Sequence, residues 1–300
     1  MSVIARFRDA DAAFARAANL DLCDPLRHFE LVVPERAGTC KTLLNAILAI
    51  AARHLSWTSD FDPLASNRYH DECLRYLTPM LNHASTLSDE NLFAATIILR
   101  MLEEMEGSTT GQDYHGHLLG IHAFVNIGDQ YMIPGSLSAA SFWVGLRQEI
   151  YIAVVTQQPV KVNLDHFVVD RSFEPADDYT WSNRAIVHLA DVLNFCFGED
   201  PPSSGHWDAL NEASEKWSLS RPTSFNPFFF RERVAPSAFP EVWHGSSCHV
   251  GDQFTERTDQ GALMDLLKKT EADHARPTKA IQQQLMKAWG WIPDHDGSDG

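Results

Sequence analysis

Fourteen histidines and several clustered acids are the residues of this chain most readily recruited for chemistry, and their spacing decides what they can do. His115, His117 and His122 lie close together, with His122 seven and five residues after the other two. Two imidazoles meet on one face of a helix when they stand four residues apart, so these offsets point to surface or hydrogen-bonded histidines, not to ligands. Glu103, Glu104 and Glu106 adjoin at a predicted helix end. A catalytic carboxylate pair needs one member desolvated so that its pKa rises, and adjacent acids at a helix end read instead as a solvated face. Ser136 and Ser138 near Gly135 lack the strand-to-helix elbow of a nucleophilic serine, and the sequence holds no Gly-x-Ser-x-Gly, phosphate-binding loop or dinucleotide fingerprint. No catalytic, cofactor-binding or metal residue is predicted. One set offers binding chemistry: Trp143, Arg147 and Glu149 place a cation one turn after an aromatic wall, suited to an anionic ligand in an apolar groove. The same arginine could equally close a structural ion pair.

Cys23, Cys40, Cys73, Cys196 and Cys248 are odd in number, widely spaced and never arranged as C-x-x-C, the pattern of ordinary reduced thiols. Basic residues number 24 against 40 acidic ones, a net charge of −16 that repels a phosphate backbone. The only tight basic cluster, Arg231 and Arg233, is interrupted by Glu232 and reads as a solvated loop. Direct nucleic-acid binding by these residues is not expected. No apolar run approaches the ~20 residues of a membrane helix, and the first residues carry no secretory pattern, so a soluble, intracellular chain is expected.

The elements that must position these side chains are helical, because no stretch of length alternates with period two. A first helix is predicted over residues 39–56, capped by Thr39 and burying Leu43, Leu44, Ile47, Ile50, Ala51 and Leu55. Asp62 followed by Pro63 starts a second, through Tyr69, Cys73, Tyr76 and Leu77, with Pro79 to kink or end it. Ser88 caps a third, whose apolar residues occupy more than one face and place it centrally, with Gly107 as its stop. A fourth, from Ser138 to Pro159, buries Ala139, Phe142, Trp143, Leu146, Ile150, Ala153 and Val154 and turns Arg147, Gln148 and Gln157 to water. Thr180 caps a fifth, ended by Gly198, and a shorter helix carries Trp207, Leu210 and Trp217. Residues 218–251 hold no convincing helix; FNPFFF (Phe225–Phe230) is too apolar for water and predicts a packed aromatic loop. Two last helices are predicted from Thr258 and from about Pro277.

SDENLFAATIILRMLEEME (Ser88–Glu106), GHLLGIHAFVN (Gly116–Asn126) and SAASFWVGLRQEIYIAVVTQQPV (Ser138–Val160) resemble, in that order, the regulatory half of fungal zinc-cluster (Zn2Cys6) transcription factors. This is the fungal-specific transcription factor domain, or middle homology region. The resemblance extends through LNAILAIAARHLS (Leu44–Ser56), WSNRAIVHLADVLNFCFG (Trp181–Gly198), WDALNEASEKW (Trp207–Trp217), FPEVW (Phe239–Trp243) and KKTEADHARPTKAIQQQLMKAWGW (Lys268–Trp291). It implies an all-α, irregular helical domain of roughly eight to ten helices with an aromatic and proline-rich loop region. Residues 1–38 are expected to be a partly disordered lead-in, 39–291 the regulatory-like domain, shortened near 254, and 292–300 a disordered tail. The zinc cluster needs six cysteines in two trios, which these residues lack. The implied function is regulation of transcription through a protein partner, homodimer or small-molecule effector, without a DNA-binding module of its own, in the nucleus. The alternatives are a recruited small-molecule-binding protein or metal-independent enzyme of secondary metabolism, and a truncated gene model of a full regulator; the alternative location is the cytoplasm.

Overall fold

Helix length and order follow from where the chain supplies caps and breaks. The computed structural model describes residues 24–81, 88–106, 133–166, 169–199, 203–232 and 241–243, with isolated positions 14, 20, 21, 245, 246, 248, 282, 283 and 286. A π-helical turn, His28–Val32, runs into the short helix α1, Val33–Ala37. Then come α2, Lys41–Thr58; α3, Ala65–Leu81; α4, Glu90–Glu106; α5, Leu137–Thr156; α6, Asp178–Phe197; and α7, Ser204–Ser220. These seven α-helices are joined among the described residues by one antiparallel pair, β1 (Phe229–Arg231) and β2 (Glu241–Trp243), with Phe230 opposite Val242. The all-α expectation holds. The helices predicted from Thr258 and Pro277, and the segment Gly116–Asn126, lie outside the described residues.

The caps differ from the predicted ones. Thr39 does not cap α2; its hydroxyl donates to the Arg36 carbonyl of the preceding turn, and Cys40 holds the capping position without a side-chain bond. At α4 the capping oxygen is that of Asp89, not of Ser88, accepting from the N–H groups of Asn91 at 2.8 Å and Leu92 at 3.3 Å. Ser136 caps α5 by accepting from Ala139 N–H, and Asp177, not Thr180, caps α6 by accepting from Thr180 N–H at 2.7 Å. In these three helices the sequence offers two or three polar candidates within four residues. The one that caps is the one whose backbone stays extended while the next residue turns helical, and composition does not reveal that choice. Pro79 ends α3 only two residues later, since a proline in the last turn removes one N–H from a helix already terminating. α5 closes at Gln157, whose left-handed backbone (φ 54°) sends its N–H to Ala153, with Pro159 just beyond.

α4 is the axis of the core. Leu92 through Leu99 are buried without interruption, because α2 covers one side of the helix and α5 another. α3 packs on the far face of α2, and Ser66 Oγ donates to the Ala49 carbonyl at 2.9 Å across that close approach. The apolar cluster continues through Leu146, Ile150 and Ala153 of α5 to Val187, Ala190 and Leu193 of α6. It also takes in Phe29, Val33 and Ala37, so the residues just before α2 belong to the core.

Burial corrects the reading of α5. Gln148 and Glu149 are buried, Trp143 is half-buried and Val154 is exposed, so this helix has no clean division into an apolar and a wet face. Neighbours on several sides enclose it, and inside the protein Gln148 donates to the Ile97 carbonyl while Glu149 accepts from the Lys161 N–H. The aromatic loop is also corrected: Phe225 is buried, but Phe228, Phe229, Phe230 and Trp243 of the hairpin are exposed.

Candidate functional site

Of the three residues of the predicted groove, Trp143 and Arg147 meet on α5 and Glu149 turns elsewhere. Arg147 stands one turn beyond Trp143 on the same face of α5 and donates to the Trp143 carbonyl at 2.9 Å. Its other terminal nitrogen donates to Asn183 Oδ1 of α6 at 2.8 Å, so the guanidinium ties two helices together. Trp143 packs edge-on against Phe142, ring centroids 5.3 Å apart, and against the apolar core. Glu149 lies about 120° around the helix from Trp143 at 3.6 residues per turn. It points to a different neighbour, accepting from the Lys161 N–H at 2.7 Å.

That bond leads to a concavity lined by described residues. A cavity of about 300 Å³ opens between the segment Val160–Asp165 and the side of α6, bounded by Arg171, Asp191 and Asn194. Its walls are held in place by polar bonds: Asn194 Oδ1 accepts from Val160 N–H at 2.8 Å, and Arg171 grips both oxygens of Asp191 at 3.0 Å. Asp191 and, less directly, Asp165 hold the Arg171 guanidinium above its ordinary pKa. The connector that follows is fastened by Arg184 of α6, a buried side chain. It donates to Asp170 Oδ2 at 2.6 and 3.0 Å, to Ser172 Oγ at 3.0 Å and to the Glu174 carbonyl at 2.7 Å, and it stacks over Trp181. Burial alone would raise the Asp170 carboxyl, but Arg184 and the Ser172 N–H outweigh it and hold it below the usual carboxylate range.

A serine and a histidine meet where sequence spacing gives no hint of it. His188 Nε2 of α6 lies 2.7 Å from Ser214 Oγ of α7. Nucleophile activation needs the hydroxyl to donate to the imidazole. Here Ser214 Oγ donates to the Leu210 carbonyl one turn back at 3.2 Å, leaving its lone pair to accept from the ring. Burial pushes the His188 pKa down, although nearby Asp191 works against that, and the neutral ring donating from Nε2 fits the same polarity. Asp191 is spent on Arg171 and does not orient the ring. The pair therefore joins helices and is the reverse of a catalytic dyad.

Sequence reasoning also missed the charge at the centre of the core. Arg100 is fully buried on α4, its Nη1 2.9 Å from Glu103 Oε2 and its Nε 3.6 Å from Glu104 Oε1. Glu103 and Glu104 are thus partners of a buried guanidinium and not a solvated face; only an arginine three and four residues before two acids hinted at it. At the other end of α4, Glu90 accepts from Arg36 at 2.7 Å and from the Ser138 N–H of α5 at 3.3 Å. Partial burial would raise its carboxyl, and these two donors bring it below its ordinary value. Among the described residues no three His, Cys, Asp or Glu side chains gather as a metal would require, and His115, His117 and His122 lie outside them. No helix of the described residues is long and apolar enough to cross a membrane.

This arrangement is a helical core pinned by polar side chains, with α2 to α4 at its centre. The family model for the fungal specific transcription factor domain matches residues 24–126. Over those residues the chain is similar to the fungal specific transcription factor domain. The match covers about a third of the chain, from Asp24 just before the π turn through α4 and beyond. A transcription-regulator-like role goes with that domain. No curated protein and no solved structure matches the chain. Trp143, Arg147 and the cavity beside α6 all lie C-terminal to the matched segment.

Proposed function

We propose that this protein regulates transcription through a protein partner or an effector, its fungal specific transcription factor domain serving as the regulatory module. The match over residues 24–126 carries this reading. The geometry supports it in one respect: the polar groups that could do chemistry, His188 with Ser214 and Arg147 with Asn183, are engaged in holding helices together. A net charge of −16 disfavours DNA contact by these residues, so the proposed action is on another protein, in the nucleus. A small-molecule effector is the second reading, supported by the polar cavity between Val160–Asp165 and α6.

Comparing transcripts and metabolites in a deletion strain and in a strain overproducing the chain tests this. A limited gene set should change in both strains. Unchanged transcripts with one accumulating metabolite would overturn the regulatory reading in favour of an enzyme. If a regulated gene set is found, Arg171→Ala with Asp191→Ala removes the cavity wall; loss of effector response with retained partner binding would place the effector there.

A further inference from the structure

Burial alternates along the segment that follows α5: Val160, Val162 and Leu164 are buried, while Lys161, Asn163 and Asp165 are exposed. An extended chain sends successive side chains to opposite sides, so the apolar three enter the core and the polar three share the outer side, up to the 3-10 turn Leu164–His166. This segment forms one wall of the cavity of about 300 Å³ beside α6, and Arg171, Asp191 and Asn194 form the other. Asp191 and Asn194 stand three residues apart, which makes them neighbours on one face of α6.

The hydrogen bonds that build these walls leave particular groups over. Asn194 spends Oδ1 on the Val160 N–H at 2.8 Å, and its amide nitrogen has no partner among the described residues. Arg171 gives Nε and Nη2 to Asp191 at 3.0 Å, which balances both charges and leaves Nη1 unused. Asn163 Oδ1 accepts from the Asp165 N–H at 2.9 Å, and its amide nitrogen also remains a donor. The Lys161 ammonium forms no ion pair among the described residues, and neither does the Asp165 carboxylate. The cavity thus offers an uncommitted cation and an uncommitted anion, with amide and guanidinium donors between them.

We propose that this cavity binds a small zwitterion, an amino acid whose carboxylate is met by Lys161, Arg171 Nη1 and the Asn194 amide and whose ammonium is met by Asp165. The inference rests on the second reading above, a small-molecule effector at this site, and names its chemical class. A plain carboxylate gains the same donors but sits against Asp165, and a plain amine gains Asp165 but sits against Lys161 and Arg171. Like charges brought together cost binding energy, so a molecule carrying both charges is favoured over either. The four charged side chains of the cavity cancel, Lys161 and Arg171 against Asp165 and Asp191, so a carboxylate meets no local excess of negative charge in a chain of net charge −16. Anchored by Val160, Val162 and Leu164 in the core, the wall exists before the ligand arrives, which reduces the ordering cost of binding.

The test follows the backbone amide signals of Val160–Asp165 and Asn194 in the full chain labelled with nitrogen-15. Free glycine, β-alanine or γ-aminobutyrate is added at constant ionic strength, with butyrate and butylamine as the single-charge controls. At least one of these zwitterions should bind saturably with a Kd of about 1 mM or below, the scale that a few charged contacts supply to so small a molecule. Butyrate and butylamine should bind it at least about tenfold more weakly, the cost of the like-charge contact. Asn194→Asp keeps an oxygen for the Val160 N–H and replaces the free donor by a second carboxylate oxygen. It should leave amide signals elsewhere unchanged and weaken zwitterion binding about tenfold or more. Asp165→Asn, at an exposed position, should erase the preference for the zwitterion over butyrate. No saturable shift with any of the zwitterions would overturn the proposal, as would equal binding of butyrate or butylamine, or undiminished binding by Asn194→Asp. The effector reading is decided separately in the deletion strain: a bound zwitterion without a regulated gene set sinks that reading and leaves the site, whereas a regulated gene set without zwitterion binding sinks the ligand class alone.

Discussion

The helices from α2 to α5 and the pair α6–α7 with its hairpin are built on different principles. In the first, α4 is enclosed on several sides, Arg100 included, and the apolar cluster runs through every neighbour. In the second, α7 buries only Leu210 fully among its 17 residues, and it holds to α6 through aromatic edges and single polar bonds. Trp217 meets Trp181 and Phe225 at 6.3 and 5.7 Å and donates from its ring to the Trp181 carbonyl at 3.0 Å. Trp207 and Leu219 remain exposed. Burial scales with the number of sides on which a helix is covered, so the first region should unfold globally and the second should open locally.

The largest expected effect tests that division. Phe93→Ala empties a fully buried site on α4 and should cost about 3–5 kcal/mol in denaturant unfolding. Trp217→Ala, at a half-buried position, should cost less and should raise amide exchange in α7 alone. Equal costs, or loss of protection throughout α4 on changing Trp217, would break the distinction.

Next in size is the arginine that binds the connector to α6. Arg184→Met keeps the apolar stem and removes the donors to Asp170, Ser172 and Glu174. A loss of about 1.5–3 kcal/mol is expected, the range for hydrogen bonds to a charged group, with new protease cleavage between Asp170 and Asp177. Resistance to cleavage would show that the connector is ordered by something other than Arg184.

Acid should separate the regions in sequence. The His188 pKa is lowered on folding, so the unfolded chain binds more protons below about 6.5, and stability falls as the pH drops from there through the folded value. Glu90 and Asp170 are lowered carboxylates, so their contributions persist down to the ordinary carboxylate range and are lost only as the pH falls through their depressed values. Exchange at the α6–α7 contact should thus rise between pH 7 and 5 while α4 stays protected, and His188→Gln should flatten that rise. Simultaneous loss of both regions would contradict it.

The smallest effect is expected at Trp207, half exposed and packed loosely on Phe195 with centroids 6.0 Å apart. Trp207→Ala should change stability by no more than about 0.5 kcal/mol. A larger loss would show that α7 is held by more than the Trp217 contact.

Much of this was legible in the residues alone. Apolar spacing located α2, α4, α5 and α6 within a few residues, because a 3.6-residue period and a break by glycine or proline are local properties. The words of Ser88–Glu106 and Gly116–Asn126 carried the family resemblance, and both fall inside the matched segment. The candidate groove was less legible. Trp143 and Arg147 share a face of α5, as spacing requires, but that Arg147 would reach Asn183 of α6 depends on how two helices lie together. The cavity beside α6, the polarity of Ser214 against His188 and the contact of His28 Nε2 with the Gly135 carbonyl join residues 26 to 107 positions apart, beyond any periodicity.

The sequence by itself determined the helical class, the central place of α4 and the likeness of its N-terminal part to a known domain, since each rests on patterns within one stretch of chain. Tertiary structure alone decided which of several adjacent polar residues would cap each helix and which charges would be buried. It also decided where the chain's ionisable groups would become clasps between helices. A side chain's protonation and hydrogen-bond roles are set by partners and by exclusion from water, and both come from the packing of distant segments.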